Sequence, residues 1–156
     1  MIVGKGDVKI KAGILSGGGD APGINAVLRA IVRKAIQDYG YETVGVRDGW
    51  KGLVENEFIP LDLKSLVGLL PKGGSILGTS RTNPFKSEDG AKCILRNVSE
   101  QGIEAVIAIG GEDTLGVASK LYEMGLPVVG VPKTTDNDLV GTDYTFGFSN
   151  GSCNCL

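Results

Sequence analysis

Ala105-Val106-Ile107-Ala108-Ile109 runs without a polar side chain into Gly110-Gly111-Glu112-Asp113-Thr114. A short apolar run that stops at a glycine pair predicts a strand buried on both faces, and such strands belong to parallel sheets under helices. Downstream, Leu115, Ala118, Leu121 and Tyr122 repeat at helical spacing and Gly125 ends the repeat. Pro127-Val128-Val129-Gly130-Val131 is a further buried strand, ending at Pro132-Lys133-Thr134-Thr135-Asp136-Asn137-Asp138. Upstream, Val8 to Leu15 reads as a strand entering Ser16-Gly17-Gly18-Gly19-Asp20, followed by a helix on Ile24, Leu28, Ile31, Val32 and Ala35. Thr43 to Val46 is another short strand. Leu61 to Leu70 is expected to be helical with Asp62 as N-cap, and Ser87 to Glu100 helical with Ser87 as cap. Strands that alternate with helices in this way predict an α/β fold: a doubly wound, mostly parallel, Rossmann-like sheet with helices on both faces. Ligands of such sheets bind beyond the carboxyl ends of the strands, and three of the glycine- or Asp-rich loops follow strands directly.

Bulk composition narrows the function. The 156 residues are 42% hydrophobic and 22% charged, with a net charge of −2 and no basic block. Nucleic acid and membrane surfaces are therefore not expected partners. The 25 glycines are roughly twice the usual share of about 7% and fall in clusters without a repeat. The chain contains no histidine, which removes Ser-His-Asp and Cys-His hydrolysis and His-bound zinc. Cys93 lies in a helical pattern and reads as a small core residue. Cys153 and Cys155 have C-x-C spacing, not that of a C-x-x-C redox motif. No secretory or membrane-spanning run opens the chain, so a cytoplasmic location is expected.

Each loop allows a chemical reading and a plain one. Ser16 to Gly23 is either an anion cradle at a helix start or a tight strand-to-helix turn. In Gly78-Thr79-Ser80-Arg81-Thr82, the arginine is either a phosphate fork or a solvated surface residue. In Gly110 to Thr114, a carboxylate could hold Mg²⁺, while Asp113 or Thr114 could equally be the N-cap of the next helix. In Pro132 to Asp138, an aspartate can take a proton and a lysine can neutralise a phosphoryl group; the alternative is a polar Asx turn. Together the loops make a phosphoryl-transfer kit that is neither a Walker P-loop nor a protein-kinase site.

S-G-G-G-D-A-P-G-I-N, G-T-S-R, I-G-G-E-D-T-L, P-K-T-T-D-N-D and G-T-D-Y-T-F-G-F resemble the phosphofructokinases in order and spacing, from about Lys9 to Phe148. The resemblance implies a phosphoryl-donor-binding domain over residues 1–148. It also implies Mg²⁺-dependent transfer to the 1-hydroxyl of fructose 6-phosphate, giving fructose 1,6-bisphosphate, in a homo-oligomeric protein. Among the donor-binding residues it implies Gly18, Arg81, Thr82, Gly111, Glu112, Asp113, Thr114 and Lys133. Glu112 stands where the family usually has a Mg²⁺-linked aspartate. Asp136 matches the catalytic base. Thr134 matches a contact to sugar and transferred phosphate, Thr135 lies beside it among the substrate-binding residues, and Asp138 belongs to the same catalytic loop. ATP users typically read G-G-D-G-S/T and P-G-T-I-D-N-D. Here Asp113 and Lys133 replace glycines, a pairing typical of pyrophosphate users. Asp113 would intrude on a nucleotide's α-phosphate and ribose, and Lys133 could hold the smaller donor. ATP as donor, a lipid or NAD kinase, and a non-catalytic phosphate- or nucleotide-binding module remain the alternatives.

The motif resemblance stops after Phe148, and Ser149 to Leu156 carries no family pattern. One codon choice for these residues, read one base later, gives Gln-Thr-Ala-Val-Ala-Thr-Ala, which resembles the family's continuation. A frameshift is therefore expected, with a truncated sheet and no catalysis by the chain alone.

Overall fold

The protein is described over residues 9–148 by a computed structural model. The expectations for Val8 and for the tail from Ser149 to Leu156, with Cys153 and Cys155, lie outside the described residues.

The central strand is β1 (Lys11–Ser16), whose last five residues are buried. It pairs in parallel with β2 (Glu42–Val46) on one side and β4 (Ala105–Gly110) on the other. Beyond β4 lie β5 (Val128–Thr134) and the two-residue β6 (Phe146–Gly147), both parallel. Beyond β2, the short β3 (Phe58–Pro60) runs antiparallel. The order β3-β2-β1-β4-β5-β6 reverses direction at β1. That switch point opens a crevice at the carboxyl ends of β1 and β4, and the doubly wound parallel sheet is as expected.

Pleating sends Ile14 and Leu15 to opposite faces, and each face has its own core. Ile14 and Ile109 pack with Leu28 and Val32 of α1 (Ile24–Tyr39) and with Leu61, Leu66, Leu69 and Leu77. Leu15, Val46, Val106 and Ala108 pack on three helices: Trp50 and Leu53 of α2 (Trp50–Glu55), Ile94 and Val98 of α3 (Gly90–Glu100), and Val117 and Leu121 of α4 (Glu112–Glu123). Each fully buried aliphatic side chain contributes about 1.5–3 kcal/mol.

Several local expectations are corrected. Leu61 to Leu70 is a series of turns, not a helix. Asp62 does cap, accepting the Ser65 N–H at 2.8 Å, but Gly68 at φ 68° stops any propagation. The segment still buries Leu61, Leu66 and Leu69, so its apolar spacing served packing without a helix. Helix α3 begins at Gly90 and not at Ser87, whose hydroxyl donates to the Pro84 carbonyl of a preceding 3₁₀ turn. Cys93 is only half-buried, and Tyr122 is exposed. Helix α2 and strand β3 escaped the sequence reading. Six and three residues are too short to show a period, and α2 follows a turn with left-handed Asp48 (φ 50°).

Candidate phosphoryl-transfer site

The switch-point crevice is a cleft of about 310 Å³. Every residue expected to bind or react lines it: Gly18, Arg81, Thr82, Gly111, Glu112, Asp113, Thr114, Lys133, Thr134, Thr135, Asp136 and Asp138. Asp20 and Trp50 line it too. Four separate loops thus meet because three of their strands are adjacent and parallel, with all carboxyl ends on one edge.

The loop after β1 is built differently from a free amide cradle. The Gly17 N–H donates to Ile109 O and the Gly18 N–H to Ser80 O, both at 2.9 Å. Those two donors serve the fold. A Cβ on Gly17 would lie 2.7 Å from Thr114 Oγ1, whereas a Cβ on Gly19 would meet nothing within 4 Å. Room for an anion is therefore at Gly19. Gly18, left-handed at φ 80°, faces Lys133 and Thr114 across the cleft floor: a Cβ there would lie 3.7 Å from Lys133 Nζ and from Thr114 Oγ1.

The loop after β4 is a single residue. The strand ends at Gly110 and α4 starts at Glu112, with Gly111 as N-cap and no side-chain cap. Asp113 and Thr114 are thus in the first helical turn, and neither is the N-cap. Glu112 and Asp113 are exposed at the positive end of the helix dipole. Thr114 is buried, wedged against Gly17 and Gly110, and its carbonyl accepts the Trp50 indole N–H at 3.3 Å. Trp50, missed in the sequence, fastens this turn from behind; its signal was the Asp48-Gly49 turn closing β2.

Strand β5 runs three residues further than expected, through Pro132, Lys133 and Thr134, and the last two pair with Phe146 and Gly147. Lys133 is buried, and its ammonium donates to Gly19 O. Burial pushes its pKa below 10.5, partly opposed by the negative charge of Asp20. The Thr134 hydroxyl donates to Asp138 Oδ1 at 2.9 Å and accepts the Asp136 N–H at 3.1 Å. Asn137, left-handed at φ 52°, closes the loop. Its Nδ2 donates to Asp143 O, and its Oδ1 accepts the Thr145 N–H, both at 3.2 Å. Asp138 is consequently an internal acceptor. Among the described residues the exposed Asp136 carboxylate has one weak partner, the Thr135 hydroxyl at 3.4 Å.

The exposed Arg81 enters no ion pair among the described residues. Those residues also contain no group of three or more His, Cys, Asp or Glu able to hold a metal by themselves. A cationic fork, a buried ammonium, acidic side chains at a helix N-terminus and a loosely held aspartate share one crevice of an α/β domain, an arrangement suited to phosphoryl transfer.

The phosphofructokinase family profile matches residues 11–154, and the chain belongs to that family. The matched span runs past Phe148. The chain is 59% identical over 140 residues to a pyrophosphate–fructose 6-phosphate 1-phosphotransferase of Streptomyces coelicolor, covering 89% of this chain and 41% of the relative. It is 51% identical over 139 residues to ATP-dependent 6-phosphofructokinase 3 of the same organism, with the same coverage. Among solved structures, Pichia pastoris phosphofructokinase in the T-state superposes with a TM-score of 0.80 at 32% identity, over 94% of this chain and 17% of that one. The chain spans about two-fifths of the length of the curated relatives it matches.

Proposed function

We propose that residues 1–148 form the phosphoryl-donor-binding part of a 6-phosphofructokinase whose donor is pyrophosphate. The observation that carries the reading is the shared cleft of Arg81, Lys133 and the loosely held Asp136. Arg81 and Lys133 neutralise the donor's phosphates. The Asp136 carboxylate takes the proton of the sugar 1-hydroxyl as that oxygen attacks the terminal phosphorus, and phosphate leaves. Thr134 and Thr135 line the acceptor side, with Thr134 shaping the loop that presents Asp136.

Mg²⁺ fits this site as a shared ligand. Magnesium takes one or two carboxylates and completes its shell with water and substrate phosphate oxygens, and the cleft offers Glu112, beside Asp113 at the head of α4. When bound, the metal would supply charge neutralisation on the phosphoryl group. No helix among the described residues is long and apolar enough to cross a membrane, and a cytoplasmic location is part of the proposal. Homo-oligomerisation is part of the same proposal.

The 51% identity to an ATP user keeps ATP as the second reading. Phosphorus-31 titrations of the chain with pyrophosphate and with ATP, each with Mg²⁺, separate the two. Pyrophosphate is expected to bind more tightly, and D113G/K133G is expected to lose that preference. A parent chain that prefers ATP, or a double variant with unchanged preference, would overturn the donor assignment. Saturable pyrophosphate binding that survives D136N is expected, since Asp136 serves the acceptor.

A further inference from the structure

The segment from Lys72 to Thr82 carries Arg81 and Thr82 into the cleft without a helix or strand of its own. An irregular segment holds one shape only when its backbone groups are tied elsewhere. Here the ties converge from four directions. The Ser16 hydroxyl of β1 meets Ser75 Oγ at 2.6 Å and donates to Gly78 O at 2.9 Å. Gly18 of the glycine loop donates its N–H to Ser80 O. After β2, Asp48 donates its N–H to Leu77 O at 2.9 Å and accepts the Ser80 hydroxyl at 2.6 Å.

The fourth tie is a side chain whose hydrogen bonds among the described residues both go to this segment. Asn25, on the second residue of α1, is 2% exposed. Its Nδ2 donates to Lys72 O at 2.9 Å and its Oδ1 accepts the Ile76 N–H at 3.0 Å. One amide thus ties together two residues four positions apart in the segment. Asn25 does not line the cleft, so it touches no donor. A buried asparagine in an apolar helix face costs stability unless both ends are paired. Both are paired, and both partners are backbone atoms of the Arg81 segment.

We infer that Asn25 is a positioning residue for the phosphoryl donor: it locks residues 72–76 to α1 and thereby fixes where Arg81 enters the cleft. The inference rests on the donor reading for its ligand but not for the lock itself.

Two measurements on the chain test it. In amide hydrogen exchange without ligand, N25A is expected to speed exchange at Ile76, Leu77 and Gly78, while R81M leaves them unchanged. In pyrophosphate–Mg²⁺ titrations, N25A is expected to weaken binding about 10-fold in the parent and less than about 2-fold in the R81M background, because its effect passes through Arg81. A general loss of structure would not be erased by R81M. N25D, which keeps the acceptor for Ile76 but repels Lys72 O, is expected to fall between parent and N25A, and it carries the test should N25A fail to fold. Unchanged exchange at 76–78 in both Asn25 variants, or the same fold-loss of affinity with and without Arg81, would overturn the inference. If the parent binds no pyrophosphate, the donor reading falls, and the exchange result alone decides whether Asn25 holds the segment.

Discussion

The loops after β1 and β4 leave adjacent parallel strands at the same edge, yet they solve the approach to a phosphate in opposite ways. After β1, seven residues separate Ser16 from the start of α1 at Ile24, and the first two amides of that loop are held by Ile109 and Ser80. After β4, only Gly111 intervenes, so α4 brings its N-terminus directly to the cleft. The first loop is a spacer that leaves open room at Gly19. The second is a charged helix end that carries its own acids, Glu112 and Asp113. Sequence similarity between two glycine clusters therefore conceals a division of labour: one makes space, and the other supplies field and carboxylates.

Thr114 is where the two loops touch, and the largest expected effect lies there. A Cβ on Gly110 would stand 2.5 Å from Thr114 Cβ, while one on Gly17 would stand 2.7 Å from Thr114 Oγ1 and 3.4 Å from its Cβ. G110A should cost about 3 kcal/mol and G17A about 1–2 kcal/mol in urea unfolding, as overpacking of a filled site does. T114A removes the atoms that Gly17 meets most closely and leaves the one that Gly110 meets most closely. It should therefore rescue G17A and fail to rescue G110A. Equal rescue of both would show that the loops share one packing constraint and that the contrast drawn between them is wrong.

This contact marks where the sequence stopped being legible. The strand Ala105–Ile109 and the glycine pair announced β4 and its loop, and the order of motifs announced the cleft. Every expected site residue lines it. Thr114 in the sequence was equally a cap or a ligand, because its burial depends on Gly17, almost a hundred residues earlier. The paired amides of Gly17 and Gly18 were equally invisible, since their acceptors, Ile109 and Ser80, come from other elements. Leu61 to Leu70 misled for a related reason: Leu61, Leu66 and Leu69 pack into the α1-side core at nearly helical spacing, but Gly68 interrupts the backbone. Local pattern reported which residues are buried, and tertiary contacts decided the backbone that buries them.

Lys133 gives the next effect in size and tests the first loop. K133M should weaken pyrophosphate–Mg²⁺ binding by more than about 10-fold, because a charge-assisted contact is lost. Stability should respond in a pH-dependent way. Burial lowers the folded-state pKa of Lys133 below the 10.5 of an ordinary lysine. Below the folded value the ammonium is charged in both states and its desolvation cost stands in full. As pH rises from that value toward 10.5, the folded state sheds the proton first and the cost is relieved. The Tm difference between parent and K133M should therefore shift in favour of the parent through that window and level off above it. A difference that stays flat across the window would mean that the ammonium is solvated and that its contact with Gly19 does not hold the glycine loop.

The smallest effect separates two roles at the head of α4. Glu112 and Asp113 both sit in the first turn, so each should stabilise the helix through its dipole by about 0.3–1 kcal/mol. E112Q and D113N should lower stability by similar small amounts, less so at high salt, where exposed charge is screened. Their effects on ligand should diverge. If Glu112 is the magnesium-side carboxylate, E112Q should flatten the Mg²⁺ dependence of pyrophosphate binding. D113N should keep that dependence and, on the proposed donor reading, ease the entry of ATP by removing a charge that would repel a nucleotide's α-phosphate. Titrating pyrophosphate and ATP against each variant over a Mg²⁺ series reads both. Loss of Mg²⁺ dependence in D113N with none in E112Q would exchange the two assignments. Equal changes in both would reduce the pair to a helix-terminal charge, leaving the short loop after β4 with a field but no dedicated metal ligand.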